Sequence, residues 1–370
     1  MKVLMINNKC KNDSIPIKEF KWSIWNDIID IDDSRVVIFN TLARNAILVE
    51  REILNTIPAD REYVSLGFVV NADKDEVSDW EESFCRAKTD MAYIDLTILL
   101  THQCQMKCQY CFEGDKDSTS ISHDSMQAIM NFLMAHKDSC NRLRVTWFGG
   151  EPLLNYPKLK DMSVRLIEFC SENEIQYTGD ITTNAFALSR ERCSEMINEL
   201  NVKRFIITLD GPAEVHDRRR PLRSGLPTFD RIWKNIGFLI EAGAKVTIRM
   251  TIDRENISSI PELLNNIARS TYAGKVGLSF CRTIDFNFTP ESFIYSEKEF
   301  AEVEWTLIQT AHSLGLYSYS FPYAAPAGGC LRKGDVVIGS DGVVYKCLDT
   351  VGDKRWAVTS IDDIDLSFEM

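Results

Sequence analysis

The sequence predicts an α/β protein whose body is a partial (β/α)6 barrel, flanked by a small N-terminal α+β domain and a short C-terminal extension. Two observations carry this expectation. From Ala92 to Leu314, apolar strand-like runs alternate with stretches of helical period at the spacing of βαβ units, which build parallel sheets. Residues able to do chemistry also gather just after those runs, at the strand ends where α/β barrels keep their active sites.

In chain order, Val36–Phe39 and Ala46–Val49 read as strands, and a helical stretch carries Ile53, Leu54 and Ile57. The acidic, polar segment Asp73–Asp90 reads as a connection. Barrel strands are expected at Ile94–Leu100, Arg144–Phe148, Tyr177–Thr183, Arg204–Leu209, Lys245–Ile252 and Val276–Phe280. The helical periods fall at Ser125–His136, Lys158–Ser171, Arg190–Glu199, Phe229–Ala242 and Ile260–Arg269, with a further helix at Glu297–Leu314. A glycine-rich stretch follows, and Asp341–Cys347 reads as a hairpin turn entering a strand. The expected domains are 1–92, 93–320 and 321–370.

The chain has 370 residues, 45% of them hydrophobic and 26% charged, an ordinary globular composition with enough apolar side chains for a sizeable core. Its net charge of −12 argues against a nucleic-acid partner, because phosphate binding needs a basic face. No run has the length and apolarity of a membrane span, and the polar N-terminus is not a secretory signal, so the cytoplasm is the expected location. In that compartment the 11 cysteines point to metal ligation wherever they are closely spaced, rather than to disulfides.

They are closely spaced once. Cys104, Cys108 and Cys111 stand as Cys-x3-Cys-x2-Cys on a polar loop after the first barrel strand. Three such thiolates can ligate three irons of a [4Fe–4S] cube, leaving the fourth open to a cofactor that offers an amino and a carboxylate group. A zinc site completed by His102 and three unrelated thiols are the competing readings of the spacing. Cys10, Cys85, Cys140, Cys170, Cys193 and Cys281 show no ligand spacing, and most of them read as small apolar core residues. No catalytic base can be named.

The cysteine loop, with Tyr110 just before its last cysteine, resembles the signature of the radical S-adenosylmethionine superfamily. Phe148-Gly149-Gly150-Glu151-Pro152, Thr182-Thr183-Asn184-Ala185, Thr208-Leu209-Asp210-Gly211-Pro212 and His216-Asp217-Arg218-Arg219-Arg220 extend the likeness to the subgroup with a C-terminal SPASM extension. Ala185 and Thr208 depart from that pattern, which often has Gly and Ser there.

The resemblance implies a [4Fe–4S] cluster that cleaves S-adenosylmethionine to a 5′-deoxyadenosyl radical. It implies cofactor binding by Tyr110, Gly149, Gly150, Glu151, Asn184, Asp210 and Arg220. The glycines would let backbone approach the ligand, and Glu151 would pair with the cofactor's ammonium. Asn184 and Asp210 would hold its ribose, and Arg220 its carboxylate. Cys330 and Cys347 look like the opening half of a SPASM domain and are expected to contribute to an auxiliary cluster. The later cysteines of that pattern are missing, so either the chain is a fragment or the extension is a short one.

Such enzymes commonly modify peptides or proteins and take electrons from a donor such as flavodoxin or ferredoxin. The 92 residues before the barrel are expected to recognise a leader peptide. The leading expectation is therefore a peptide maturase forming a crosslink such as a thioether. Anaerobic sulfatase maturation, making formylglycine, is the alternative within the superfamily. A non-catalytic barrel binding a peptide or zinc is the alternative outside it.

Overall fold

The computed structural model describes residues 20–56, 61–111, 113, 117–284, 293–318 and 329–366. Cys10 and Ile57 therefore lie outside the described residues. The chain divides after Ala87 into two compact units.

In the first unit, β1 (Phe20–Trp22), β2 (Asn26–Asp30), β3 (Arg35–Asn40) and β4 (Ala46–Glu50) precede the short helix α1 (Arg61–Ser65) and β5 (Val69–Asn71). β2, β3 and β4 form an antiparallel sheet, and β1 pairs with β5. Their core is small: Val36, Ile38, Ile47, Tyr63, Phe68 and Val69. Ile53 and Leu54 lie on a 3-10 turn, Arg51–Asn55.

The segment expected to be a connection is instead a helix, α2 (Glu76–Thr89). Its polarity hid the element, and almost none of it is buried. Asp75 holds the Ser78 N–H at the helix start. Glu76, only 6% exposed, accepts from the Ser23 hydroxyl at 2.5 Å and the Ile24 N–H at 3.0 Å.

The second unit opens with β6 (Tyr93–Leu99) and continues as α3 (His123–Ala135), β7 (Arg142–Phe148), α4 (Tyr156–Glu172), β8 (Gln176–Thr183), α5 (Arg190–Asn198) and β9 (Val202–Thr208). Then come α6 (Ala213–Arg219), α7 (Phe229–Glu241), β10 (Lys245–Ile252), α8 (Ile260–Arg269), β11 (Val276–Arg282) and α9 (Glu297–Ser313). Strands β6 to β11 lie side by side in sequence order, all parallel, as the partial barrel expected from the alternation. Helix starts follow local chemistry: Ser122 caps α3, and Ser296 with Glu299 forms a capping box on α9.

Two features were not anticipated. A two-residue strand, β12 (Tyr317–Ser318), extends the sheet beyond β11. At the other edge β13 (Asp335–Ile338) pairs in parallel with β6 and turns back as β14 (Val343–Tyr345), which pairs with β15 (Thr359–Ser360). The C-terminal extension thus continues the barrel's own sheet, and the β13–β14 hairpin is the one its sequence suggested.

The faces of the strands are sorted by chemistry. Ile94, Leu96, Ile98, Leu143, Val145 and Trp147 pack outward into a core shared with the helices. The opposite face carries Asp95, Thr97, Arg144, Thr146, Thr178, Asp180 and Thr182. There Arg144 bridges Asp95 at 3.2 Å and Asp180 at 2.7 Å, and Arg204 joins Asp180 at 2.7 Å. This barrel has a polar lumen rather than one filled with layers of branched side chains.

Candidate active site

The cysteine loop begins where β6 ends, and two segments fix its path. On one side the turn after β7 approaches it: the Gly150 N–H donates to the Thr101 carbonyl at 2.9 Å, and the Glu151 N–H to the Gln103 carbonyl at 2.8 Å. On the other side, the Lys107 N–H donates to the Pro221 carbonyl at 2.9 Å and the Arg223 N–H to the Gln105 carbonyl at 2.8 Å. The Arg223 side chain adds a bond to the Cys104 carbonyl at 2.9 Å.

The glycine pair is explained by that first approach. A Cβ on Gly149 would lie 2.3 Å from the Thr101 oxygen, and one on Gly150 would lie 2.3 Å and 2.4 Å from the His102 and Gln103 oxygens. Gly149 also has φ +128°, which side-chain-bearing residues avoid. The pair was expected to let backbone approach a ligand; it lines the cavity and also admits the backbone of the cysteine loop.

Around the loop lies a cavity of roughly 250 Å³. Cys104, Cys108, Cys111, Tyr110, Gly149, Gly150, Glu151, Asn184 and Arg220 all line it. The sequence motifs, scattered over more than a hundred residues, meet at the C-terminal ends of β6, β7 and β8. Among the described residues no three His, Cys, Asp or Glu side chains converge as ligands of a single ion. Three thiols on one loop can each bind a different iron of a cube, so the donor set fits a cluster.

Glu151 is 1% exposed. Its carboxylate accepts from the Thr183 hydroxyl at 2.6 Å, the Asn184 N–H at 2.7 Å and the Leu153 N–H at 3.0 Å. Burial nonetheless pushes its pKa up, against these bonds and the nearby Arg220. An acid held in this way on a cavity wall suits a cationic ligand, whose charge restores the ionised form. Arg220 likewise lines the cavity with a buried Nε that has no partner among the described residues, as a carboxylate-binding group would.

Three consecutive arginines separate by environment. Arg218 is exposed. Arg219 is 2% exposed and pairs with Asp253 at 2.7 Å and Glu255 at 3.2 Å. Arg220 donates to the Tyr110 hydroxyl at 2.6 Å, and that hydroxyl donates to Asp210. The neighbouring His216 and Asp217 act on the fold. His216 is wholly buried, which drives its pKa well below the usual range, and its Nδ1 accepts the Asp210 N–H at 3.3 Å. Asp217 accepts the Thr228 and Phe229 N–H groups at the start of α7, at 2.7 Å and 2.8 Å.

Asp210 itself does not line the cavity. It is fully buried, and its oxygens are taken by Tyr110 and by the Thr251 N–H at 3.0 Å. Expected on a ribose, it stands one layer behind and orients Tyr110 and Arg220. Asn184 does line the cavity, but its amide faces the cysteine loop.

The far wall holds Thr208, quoted in the sequence only as part of a motif, and residues that sequence reasoning missed: Arg249, Thr251, Arg282 and Thr283, with Leu348 and Asp349 from the extension. Arg249 was the findable one, a charge in the middle of an otherwise apolar strand pattern. Desolvation first, and then the neighbouring Cys347, push the Cys330 thiol up. The structure therefore brings these two cysteines together.

Comparison with known proteins agrees with this geometry. The family model of the Radical SAM superfamily matches residues 98–267. The chain carries a radical SAM domain. This domain holds the cysteine loop and every motif that meets at the cavity. The chain is 20% identical over 299 residues to the radical SAM cyclopropyl synthase TigE of Paramaledivibacter caminithermalis, covering 73% of this chain and 61% of TigE. It spans 39% to 61% of the lengths of the first curated relatives it matches, about half.

Among solved structures, native anSMEcpe with bound AdoMet and Cp18Cys peptide superposes with a TM-score of 0.60 at 16% identity, over 75% of this chain and 80% of that one. Streptococcus suis SuiB bound to its precursor peptide SuiA gives a TM-score of 0.55 at 13% identity, over 95% and 88%. At these identities the likeness is one of fold. No helix among the described residues is long and apolar enough to cross a membrane.

Proposed function

We propose that this chain is an enzyme that binds a [4Fe–4S] cluster on Cys104, Cys108 and Cys111 together with S-adenosylmethionine, and that it modifies a peptide. The observation that carries the reading is the single cavity bounded by the three thiols, the buried Glu151 and the open Nε of Arg220. A reduced cluster and this cofactor supply a carbon radical able to abstract a hydrogen atom. The residues present supply the rest: Glu151 for the ammonium, Arg220 for the carboxylate, and a deep polar lumen to hold a side chain out of bulk water.

Of the finer readings, sulfatase-type maturation has more support than the crosslink expected from the sequence. The higher TM-score belongs to anSMEcpe, whose structure holds bound AdoMet and the Cp18Cys peptide. Crosslinking keeps one supporting observation: SuiB with its precursor peptide matches nearly the whole chain, including the part before the barrel. An electron donor of the flavodoxin or ferredoxin type, and an auxiliary cluster using Cys330 and Cys347, belong to the same proposal.

The test is anaerobic incubation of the reconstituted protein with Cys-containing peptides, read by mass spectrometry. Replacement of the cysteine sulfur by a carbonyl oxygen supports the sulfatase-type reading. Loss of two hydrogens with sulfur retained supports the crosslink. Absence of 5′-deoxyadenosine from the wild-type protein under strong reduction refutes both.

A further inference from the structure

One sulfur of the cysteine loop is held differently from what ligation alone requires. Asn184 follows β8 directly and is 5% exposed. Its Oδ1 accepts the Phe186 N–H at 3.0 Å and the Gln105 Nε2–H at 3.1 Å. Two donors on one side fix the orientation of the amide, so the Nδ2–H group must face the other way. It faces Cys104 Sγ at 3.8 Å. The Met106 N–H reaches the same sulfur at 3.4 Å. The residue is anchored as well, because its own N–H is bound to Glu151 at 2.7 Å.

An N–H group directed at a thiolate ligand draws electron density from the sulfur. It therefore stabilises the more negative, reduced form of an iron–sulfur cluster and raises its potential. The effect is largest where water is excluded, as around this buried amide. We propose that Asn184 is a positioning residue that raises the reduction potential of the cluster through its bond to the Cys104 sulfur, so that a physiological donor can reduce it. The proposal rests on the assignment of the cluster to Cys104, Cys108 and Cys111. Gln105 has a supporting part, since its amide keeps Asn184 turned toward the sulfur.

The experiment is a redox titration of the reconstituted full chain, with the reduced cluster followed by electron paramagnetic resonance. Wild type is compared with Asn184→Ala and Asn184→Asp. The Asp variant keeps the side-chain volume and the acceptor for Phe186 while replacing the donor by an acceptor. Both midpoints should move to more negative values, Asp further than Ala. With a weak donor, 5′-deoxyadenosine formation should fall several-fold, and a stronger reductant should narrow the gap, which a purely structural defect would not allow. Unchanged midpoints in variants that load iron normally would overturn the proposal. Failure of the near-isosteric Asp variant to load iron would overturn it too, and would assign Asn184 to scaffolding of the loop. If wild type itself holds no cluster, it is the functional reading that fails.

Discussion

Gly150→Ala tests how the site is built. The added Cβ would stand 2.3 Å from the His102 oxygen, 2.4 Å from the Gln103 oxygen and 2.7 Å from the Gln103 carbonyl carbon. All three are backbone atoms, so no side chain can swing aside. Reaching even a tight contact requires the loop to retreat by roughly 1 Å. Crowding of this kind costs about 1–3 kcal/mol, and the retreat stretches the Gly150 and Glu151 bonds to Thr101 and Gln103, at about 0.5–1.5 kcal/mol each.

A chain of this size can survive that loss; the geometry of the three thiols cannot. The expected outcome is a folded protein with lower iron and sulfide content after anaerobic reconstitution. Where a cluster does form, cofactor cleavage should fall on the order of 100-fold, the penalty for misplacing reacting groups by about 1 Å. Gly225→Ala is the control: its Cβ meets nothing within 4 Å, although its φ of +84° adds strain of about 1–2 kcal/mol. The control should lower the melting temperature and leave iron content alone. If Gly150→Ala loads iron and cleaves the cofactor like wild type, the claim that the glycine pair clamps the cysteine loop is wrong.

Glu151→Gln should weaken S-adenosylmethionine binding by roughly ten- to a hundred-fold without loss of iron, because a hydrogen bond to a charged group is worth about 1.5–3 kcal/mol; equal affinities by equilibrium binding would remove Glu151 from the site. Since burial raises the Glu151 pKa, wild-type affinity should begin to fall at a higher pH than an ordinary glutamate would dictate as the solution is acidified, and the Gln variant should lack that limb. The same raised pKa means that the folded chain without cofactor holds this proton more tightly than the unfolded chain. Its contribution to stability is therefore full below the ordinary glutamate value and is lost as pH rises through the raised one, which thermal melts of wild type against the Gln variant would show. Tyr110→Phe leaves Asp210 and Arg220 without their shared hydroxyl, and should cost about 1–3 kcal/mol in chemical denaturation and weaken cofactor binding; an unchanged denaturation midpoint would contradict the role given to that hydroxyl. Deleting residues 1–92 should raise the apparent KM for a peptide substrate far more than it lowers uncoupled cofactor cleavage; unchanged peptide kinetics in a soluble truncation would remove the recognition role.

Much of the molecule was legible because two periodicities are written into the chain. Strand–helix alternation fixes which residues become β6 to β11, and helical crossovers of one hand between sequential parallel strands leave little freedom in their order. Placing the cysteine loop, the Gly-Gly-Glu turn and Asn184 after consecutive strands already puts them at one end of the barrel. The alternation of charged and threonine residues with apolar ones, as in Tyr93–Leu99 and Arg142–Phe148, also encodes a polar lumen, a signal the sequence reading did not use.

What the sequence did not decide is which atoms face which. Helix α2 was hidden because its acidic and polar residues outweigh the stripe of Val77, Trp80, Phe84 and Ala87, which recurs at helical spacing but is left largely unburied. The resemblance picked out Arg220 among three arginines, but only the fold shows the physical difference: adjacent residues on a helix end diverge by about 100° per residue, which seals Arg219 among Asp253 and Glu255 and leaves Arg220 on the cavity wall. Asp210 and Asn184 looked alike as polar residues at strand ends. Only packing showed that one carboxylate is spent behind the wall on Tyr110 and Thr251, and that the other side chain turns its amide to a cysteine sulfur. The role of the glycines was likewise invisible until the loop they admit came within 2.3 Å of their missing Cβ atoms. Sequence determines which chemical groups arrive at a strand end through local, periodic rules. Contacts between segments far apart in the chain, settled by close packing and hydrogen-bond satisfaction, decide what each group is left free to bind.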